Sequence, residues 1–180
     1  WGMLRDVQSR GHTIGHHSIS HRRARKAIGE LGCQGYIRNE IDNGLEMLKR
    51  RGIEARHFAY PSGDRDEKTD ACLFTKFDTL RGVAFGKTKY FYTTEELART
   101  RLIYATPVRA ALKNLVVRVR GVTCWLEPGT GPTLDKLVEQ NMAIFLYTHT
   151  PRDTELIPLS NLNNRVTFYP MDVLAGPNQR

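Results

Sequence analysis

Gly11-His12-Thr13-Ile14-Gly15-His16-His17-Ser18-Ile19-Ser20-His21 holds four of the chain's six histidines. Imidazole is the commonest side-chain metal ligand at neutral pH, and a cluster this dense points to a metal site more than to scattered surface polar residues. Two registers have i, i+4 spacing: His12 with His16, and His17 with His21. Gly11 and Gly15 argue for strand and loop here rather than helix, so helical geometry does not decide between the registers.

The flanking sequence reads as alternating helices and strands. Upstream, Leu4 and Val7 among polar neighbours suggest the end of an amphipathic helix stopping at Gly11, with a short strand over His12 to Gly15. Downstream, Ile37, Ile41, Leu45 and Leu48 form an apolar stripe at helical period from about Gly35 to Arg51, and Gly52 is a natural stop. Arg56 to Tyr60 reads as a strand broken by Pro61-Ser62-Gly63, followed by a helix over Asp66 to Phe77 and a strand over Thr79 to Phe85. Thr93-x-x-Glu96 is a capping box opening a short helix. Leu102 to Ala105 is strand-like, and Thr106-Pro107 suits the cap and first turn of a following helix. Leu115 to Trp125 fits strand or helix, Glu127 to Pro132 is a loop, Thr133 can cap a helix through Gln140, and Met142 to Tyr147 is a buried strand. Strands alternating with helices predict an α/β fold with a mainly parallel sheet or barrel.

At 180 residues the chain suits one domain, residues 1–180, with a real core. It is 40% hydrophobic and 26% charged, without an apolar run long enough to cross a bilayer. The stretch Trp1 to Gly11 resembles the middle of a folded unit, so a segment upstream of it is expected. A net charge of +8 permits an anionic partner: nucleic acid, acidic polysaccharide or a phospholipid surface. His21-Arg22-Arg23-Ala24-Arg25-Lys26 is the basic run that would serve a nucleic-acid module, but no aromatic residues for base stacking interleave it, and it reads as a solvated loop. Cys33, Cys72 and Cys124 are widely spaced, with no C-x-x-C pair, and suggest neither a disulfide framework nor a cysteine zinc site; the odd count leans toward a reducing compartment.

Two further segments bear on chemistry: Phe58-Ala59-Tyr60-Pro61-Ser62-Gly63, a strand running into a proline turn, and Ile144-Phe145-Leu146-Tyr147-Thr148-His149, an apolar strand ending in histidine. Taken in order with the histidine cluster, they resemble the second, third and final motifs of polysaccharide deacetylases of the NodB-homology type, carbohydrate esterase family 4. The second motif there reads G-H-x-I-G-x-H-[ST]-x-x-H. The resemblance covers nearly the whole chain, including a tail, Arg165 to Leu174, like the family's closing strand and helix. It implies an incomplete distorted (β/α) barrel, with the first strand missing.

The resemblance also implies a division of labour. His17 and His21 become ligands of one divalent metal ion, zinc in the first place, with cobalt, nickel or manganese as alternatives; Ser18 helps hold their loop, and His12 and His16 are structural or peripheral. Tyr60, Pro61, Ser62, Gly63 and Leu146 line the substrate groove. His149 acts as general acid, facing the two ligand rings across that groove. The implied partner is an N-acetylated polysaccharide and the implied reaction is hydrolysis of its N-acetyl groups.

The family's Thr-Phe-Asp-Asp-Gly motif, which supplies a metal aspartate and the catalytic base, is absent from these residues, so the polypeptide is expected to be inactive as it stands. No Asp-x-x-Asp-Trp fourth motif is visible, and Arg81 is a candidate for a related supporting role. Ala59 stands where many members carry arginine and Ser62 where many carry tyrosine. The Phe-Ala-Tyr-Pro form looks closer to the branch acting on bacterial poly-N-acetylglucosamine. Alternatives are a non-catalytic carbohydrate-binding relative, another metal-dependent hydrolase, and the anionic-polymer module above.

Overall fold

The stripe Ile37, Ile41, Leu45 and Leu48 does form a helix, and that helix is the spine of the part of the molecule carrying the histidine cluster. The computed structural model describes residues 1–84, 88–89, 91–107, 118–119, 122–123 and 142–149. They fall into two compact units, one of residues 1–82 with 101–103 and one of the remainder.

In the first unit, α1 (Gly2–Ser9) leads into the histidine segment. A long helical stretch follows, built from α2 (Ala24–Tyr36), a π-helical turn Ile37–Asp42 and α3 (Asn43–Lys49). Gly32, at φ 71°, kinks this stretch and separates an earlier helical piece, opening at Ala24, from the helix expected at about Gly35. Much of the basic run thus lies on a helix: Ala24 and Ala27 face the core while Arg25 and Lys26 are exposed. Gly52, at φ 74°, ends the stretch as expected.

The core of this unit joins Ala24, Ala27, Tyr36, Ile37 and Ile41 to Phe58, Tyr60, Leu73, Phe77 and Leu80. Burial of such side chains is the main favourable term of folding, on the order of 1.5–3 kcal/mol for each large one. Strand β1 (His57–Ala59) pairs in parallel with β2 (Thr79–Val83), in the register Phe58↔Leu80. Between them lies α4 (Glu67–Leu73), capped by Asp66 and Thr69 in a reciprocal box. The strand expected over His12 to Gly15 reduces to a single parallel bridge, His16 with Phe58. Gly15 permits the approach: a Cβ there would stand 3.0 Å from the His57 carbonyl oxygen.

In the second unit, β3 (Phe91–Tyr92) is followed by α5 (Thr94–Leu97), whose Thr93/Glu96 capping box has both of its bonds. Strand β4 (Leu102–Pro107) enters this unit at Tyr104. Thr106 and Pro107 fall within this strand: β-branched Thr106 precedes a proline and so favours extended backbone; the helix expected after them lies outside the described residues. Strands β5 (Arg118–Val119) and β6 (Val122–Thr123) form an antiparallel pair, which resolves the ambiguity there toward strand. Strand β7 (Ala143–Tyr147) pairs in parallel with β4, Thr106↔Leu146, and antiparallel with β3. The helix expected over 133–140 and the tail at 165–174 lie outside the described residues.

Parallel strands separated by helices make this the α/β class, consistent with an incomplete distorted barrel. The cysteine expectation needs correction. Cys33 of α2 and Cys72 of α4 form a disulfide, with Cα atoms 5.7 Å apart; the packing of the two helices creates this pairing, and sequence separation gives no hint of it. Among the described residues no helix is long and apolar enough to cross a membrane.

Candidate metal centre

The histidine segment leaves β1's edge at His16 and turns sharply. The His16 N–H donates to the His57 carbonyl (2.7 Å), and the Ala59 N–H donates to the His16 carbonyl (2.9 Å). Ser18 and His21 then take left-handed φ values of 59° and 57°. Non-glycine residues hold that conformation at a cost of about 1–2 kcal/mol each, and persist there only where surrounding contacts dictate it.

Those contacts are visible. The Arg22 N–H donates to Ser18 Oγ (3.1 Å), and the Ser18 N–H donates to His16 Nδ1 (3.1 Å). Glu40, in the π-helical turn, accepts from the Ser20 N–H (3.0 Å) and the Ser20 hydroxyl (2.7 Å), while its own carbonyl accepts from the Ile19 N–H (3.1 Å). Burial works to raise the Glu40 pKa, but the bonds from Ser20 and Ser18 and the charge of Arg22 prevail and hold it below the usual value.

The result brings His17 and His21 together, with ring centroids 4.8 Å apart and planes inclined at 72°. Two imidazoles on one tetrahedral ion, each at about 2.0–2.1 Å, would place their centroids about 5 Å apart, so the pair fits a shared cation. The tautomer fits as well. His17 Nδ1 lies 2.7 Å from the Ala59 carbonyl oxygen; a carbonyl only accepts, so Nδ1 carries the proton and Nε2 presents its lone pair, a common arrangement of metal-ligating histidine. Among the described residues no group of three or more His, Cys, Asp or Glu could hold a metal ion.

His16 and His12 are different. His16 is 5% exposed, packed on Phe58 and Phe77 with centroids 6.1 and 5.9 Å away. Burial, with the His17 charge adding to it and Glu40 opposing, lowers its pKa to about 4, so it is a neutral structural residue. His12 is exposed, and its N–H donates to the Val7 carbonyl.

The proline turn abuts the same strand end. Tyr60 is buried at 1% exposure and its hydroxyl donates to Asp70 (2.8 Å), which also pairs with Arg65. Burial above all raises the phenol's pKa and keeps it a donor. Pro61 is buried, Ser62 is exposed at φ 57°, and Gly63 is half-buried. Tyr60 therefore braces the turn from beneath and Ser62 stands on its surface. Arg81 in β2 contributes a backbone carbonyl to the Tyr60 N–H (2.9 Å).

In the second unit His149 follows β7, exposed, its ring edge-on to Tyr147 with centroids 5.7 Å apart; Leu146 in the strand is half-buried.

Sequence reasoning missed three contributors. The Ala59 carbonyl is backbone and leaves no trace in residue type. Glu40 does leave one: it is a carboxylate on the apolar face between Ile37 and Ile41, where charge requires a partner. Gly44 lies on the same face, and a Cβ there would collide with His16 Nε2 and crowd Ile19 at 3.2 Å.

A family model described as polysaccharide deacetylase matches residues 1–74. No curated protein and no solved structure matches the chain.

Proposed function

We propose, from the match of a polysaccharide deacetylase family model to residues 1–74, that the chain carries part of a metal-dependent active site for removing N-acetyl groups from an amino-sugar polysaccharide, yielding acetate and a free amine. The family is one of hydrolases acting on carbohydrate; the chemistry below is the finer reading. The observation that carries it is the pairing of His17 with His21, with the Nδ1 proton of His17 directed to Ala59.

A divalent ion, zinc by preference, would be held by the lone pairs of His17 and His21 and would supply Lewis acidity toward an acetyl carbonyl. The chain's own groups would do the rest. The Ser62 N–H, on its left-handed turn, would donate to the developing oxyanion. Tyr60 and Asp70 would fix that turn, and Pro61, Gly63 and Leu146 would shape the groove. His149 would deliver a proton to the departing amine, while Ser18 would hold the ligand loop. Arg81 would support the turn through its carbonyl. Chitin-like polymers, peptidoglycan and poly-N-acetylglucosamine are the candidate substrates, and the Phe-Ala-Tyr-Pro sequence favours the last. The 180 residues contain no Thr-Phe-Asp-Asp-Gly segment, so this polypeptide alone is expected to bind zinc weakly and to release no acetate.

The test measures zinc affinity and acetate release from poly-N-acetylglucosamine oligomers, for this polypeptide and for one extended upstream with an Asp-Asp segment. His17→Ala should weaken zinc binding at least tenfold. His149→Ala should leave zinc binding intact and reduce turnover of the extended form by about 10²–10⁴. Zinc affinity unchanged by His17→Ala would refute the site. Oligosaccharide binding without turnover in any form would favour a non-catalytic carbohydrate-binding protein.

A further inference from the structure

The loop that brings His17 and His21 together contains two non-glycine residues in the left-handed region and is fastened to one short piece of helix. Four bonds run to Glu40: the Ser20 N–H and hydroxyl and the Ser18 hydroxyl onto its carboxylate, and the Ile19 N–H onto its carbonyl. Glu40 is itself 6% exposed and sits in the π-helical turn Ile37–Asp42. A π-turn inserts an extra residue into helical spacing and shifts the direction of its side chains; such turns occur frequently at functional sites. One turn later, Gly44 leaves the space that His16 and Ile19 occupy.

We propose that Glu40 is a positioning residue for the metal-binding histidines, setting the loop conformation that brings the His17 and His21 rings onto one cation. This rests on the metal reading given above. Glu40 acts through the segment between the two rings. Ser20 is adjacent to His21 in sequence, so the two bonds at Ser20 fix the backbone from which the His21 ring projects. His17 is anchored from the other side by Ala59. Each ring therefore has its own tether, one on β1 and one on the helix, and the ring separation depends on both.

A carboxylate accepts both Ser20 bonds. A carboxamide can keep both if its oxygen takes the N–H and its NH₂ donates to Ser20 Oγ, the hydroxyl proton turning away. Alanine keeps neither. Positioning therefore predicts that glutamine rescues, whereas a purely electrostatic role for the negative charge predicts that glutamine and alanine fail alike.

The experiment uses the intact chain as wild type, Glu40→Gln, Glu40→Ala, Ser20→Ala and His17→Ala. Zinc affinity is measured by calorimetry, and backbone amide exchange over residues 16–22 is measured in metal-free protein. Glu40→Ala should weaken zinc binding about 10- to 100-fold and speed exchange in the loop. Glu40→Gln should stay within a few-fold of wild type on both readouts, and Ser20→Ala should fall between. Glu40→Ala with unchanged affinity and exchange overturns the proposal, as does Glu40→Gln matching Glu40→Ala in affinity while the loop stays protected in both. If Glu40→Ala fails to fold, Ser20→Ala decides: wild-type affinity and exchange there overturn it. Zinc affinity unmoved by His17→Ala defeats the metal reading alone, because loop exchange in the metal-free protein still judges Glu40.

Discussion

Ser18, His21 and Ser62 are the non-glycine residues at positive φ among those described, and all three lie in the two segments that form the candidate site. Local strain gathered in segments proposed to hold a metal and an oxyanion is the pattern expected when surrounding bonds fix a functional geometry. His16 supplies the most direct pH test. Its folded pKa of about 4 lies below the ordinary value of 6.5, so the unfolded chain binds the proton more readily. The stability due to the neutral buried ring is complete above about 6.5 and is lost as pH falls toward 4, on the order of 3 kcal/mol across that window. Denaturant midpoints of the metal-free protein between pH 7.5 and 4 should show this loss, and His16→Phe should flatten it. The choice of His17 and His21 over His12 and His16 comes from the family resemblance, since both registers have the same spacing. Ser18's hold on the Arg22 N–H and Ala59's on His17 were not, because both depend on where the chain folds back.

At the scale of elements, Gly44 sets up a conflict with a clear sign. By intrinsic propensity, alanine in a helix interior is more favourable than glycine by about 1 kcal/mol. Here the added methyl would press into His16 Nε2 and Ile19, and forcing atoms into a filled site typically costs about 1–3 kcal/mol. Gly44→Ala should therefore lower the thermal midpoint, and an unchanged or raised midpoint would show that the ring yields freely. The elements themselves were largely readable: the Thr93/Glu96 capping box, the stop at Gly52 and the strands at β1, β2 and β7 follow from local residue chemistry. The helical piece opening at Ala24 was missed because Gly32 breaks it from the apolar stripe that marks the helix after it.

At the scale of the whole molecule, the Cys33–Cys72 bond ties α2, which follows the histidine loop, to α4, which follows the proline turn. The bridged cysteines are 39 residues apart, and loop-closure entropy for that length gives a stabilisation of about 4 kcal/mol. Cys33→Ser with Cys72→Ser should lower the unfolding free energy by a comparable amount, and a loss under about 1 kcal/mol would indicate that the helices are held without it. Long-range pairing of this kind is what a single sequence shows least well, since nothing near either cysteine marks its partner. The bond also makes the history of any sample chemically legible. Alkylation under denaturing, non-reducing conditions should spare Cys33 and Cys72 in chains that carry the bridge and label both in chains that never oxidised, so a mass spectrum can sort the two populations before any metal titration is interpreted.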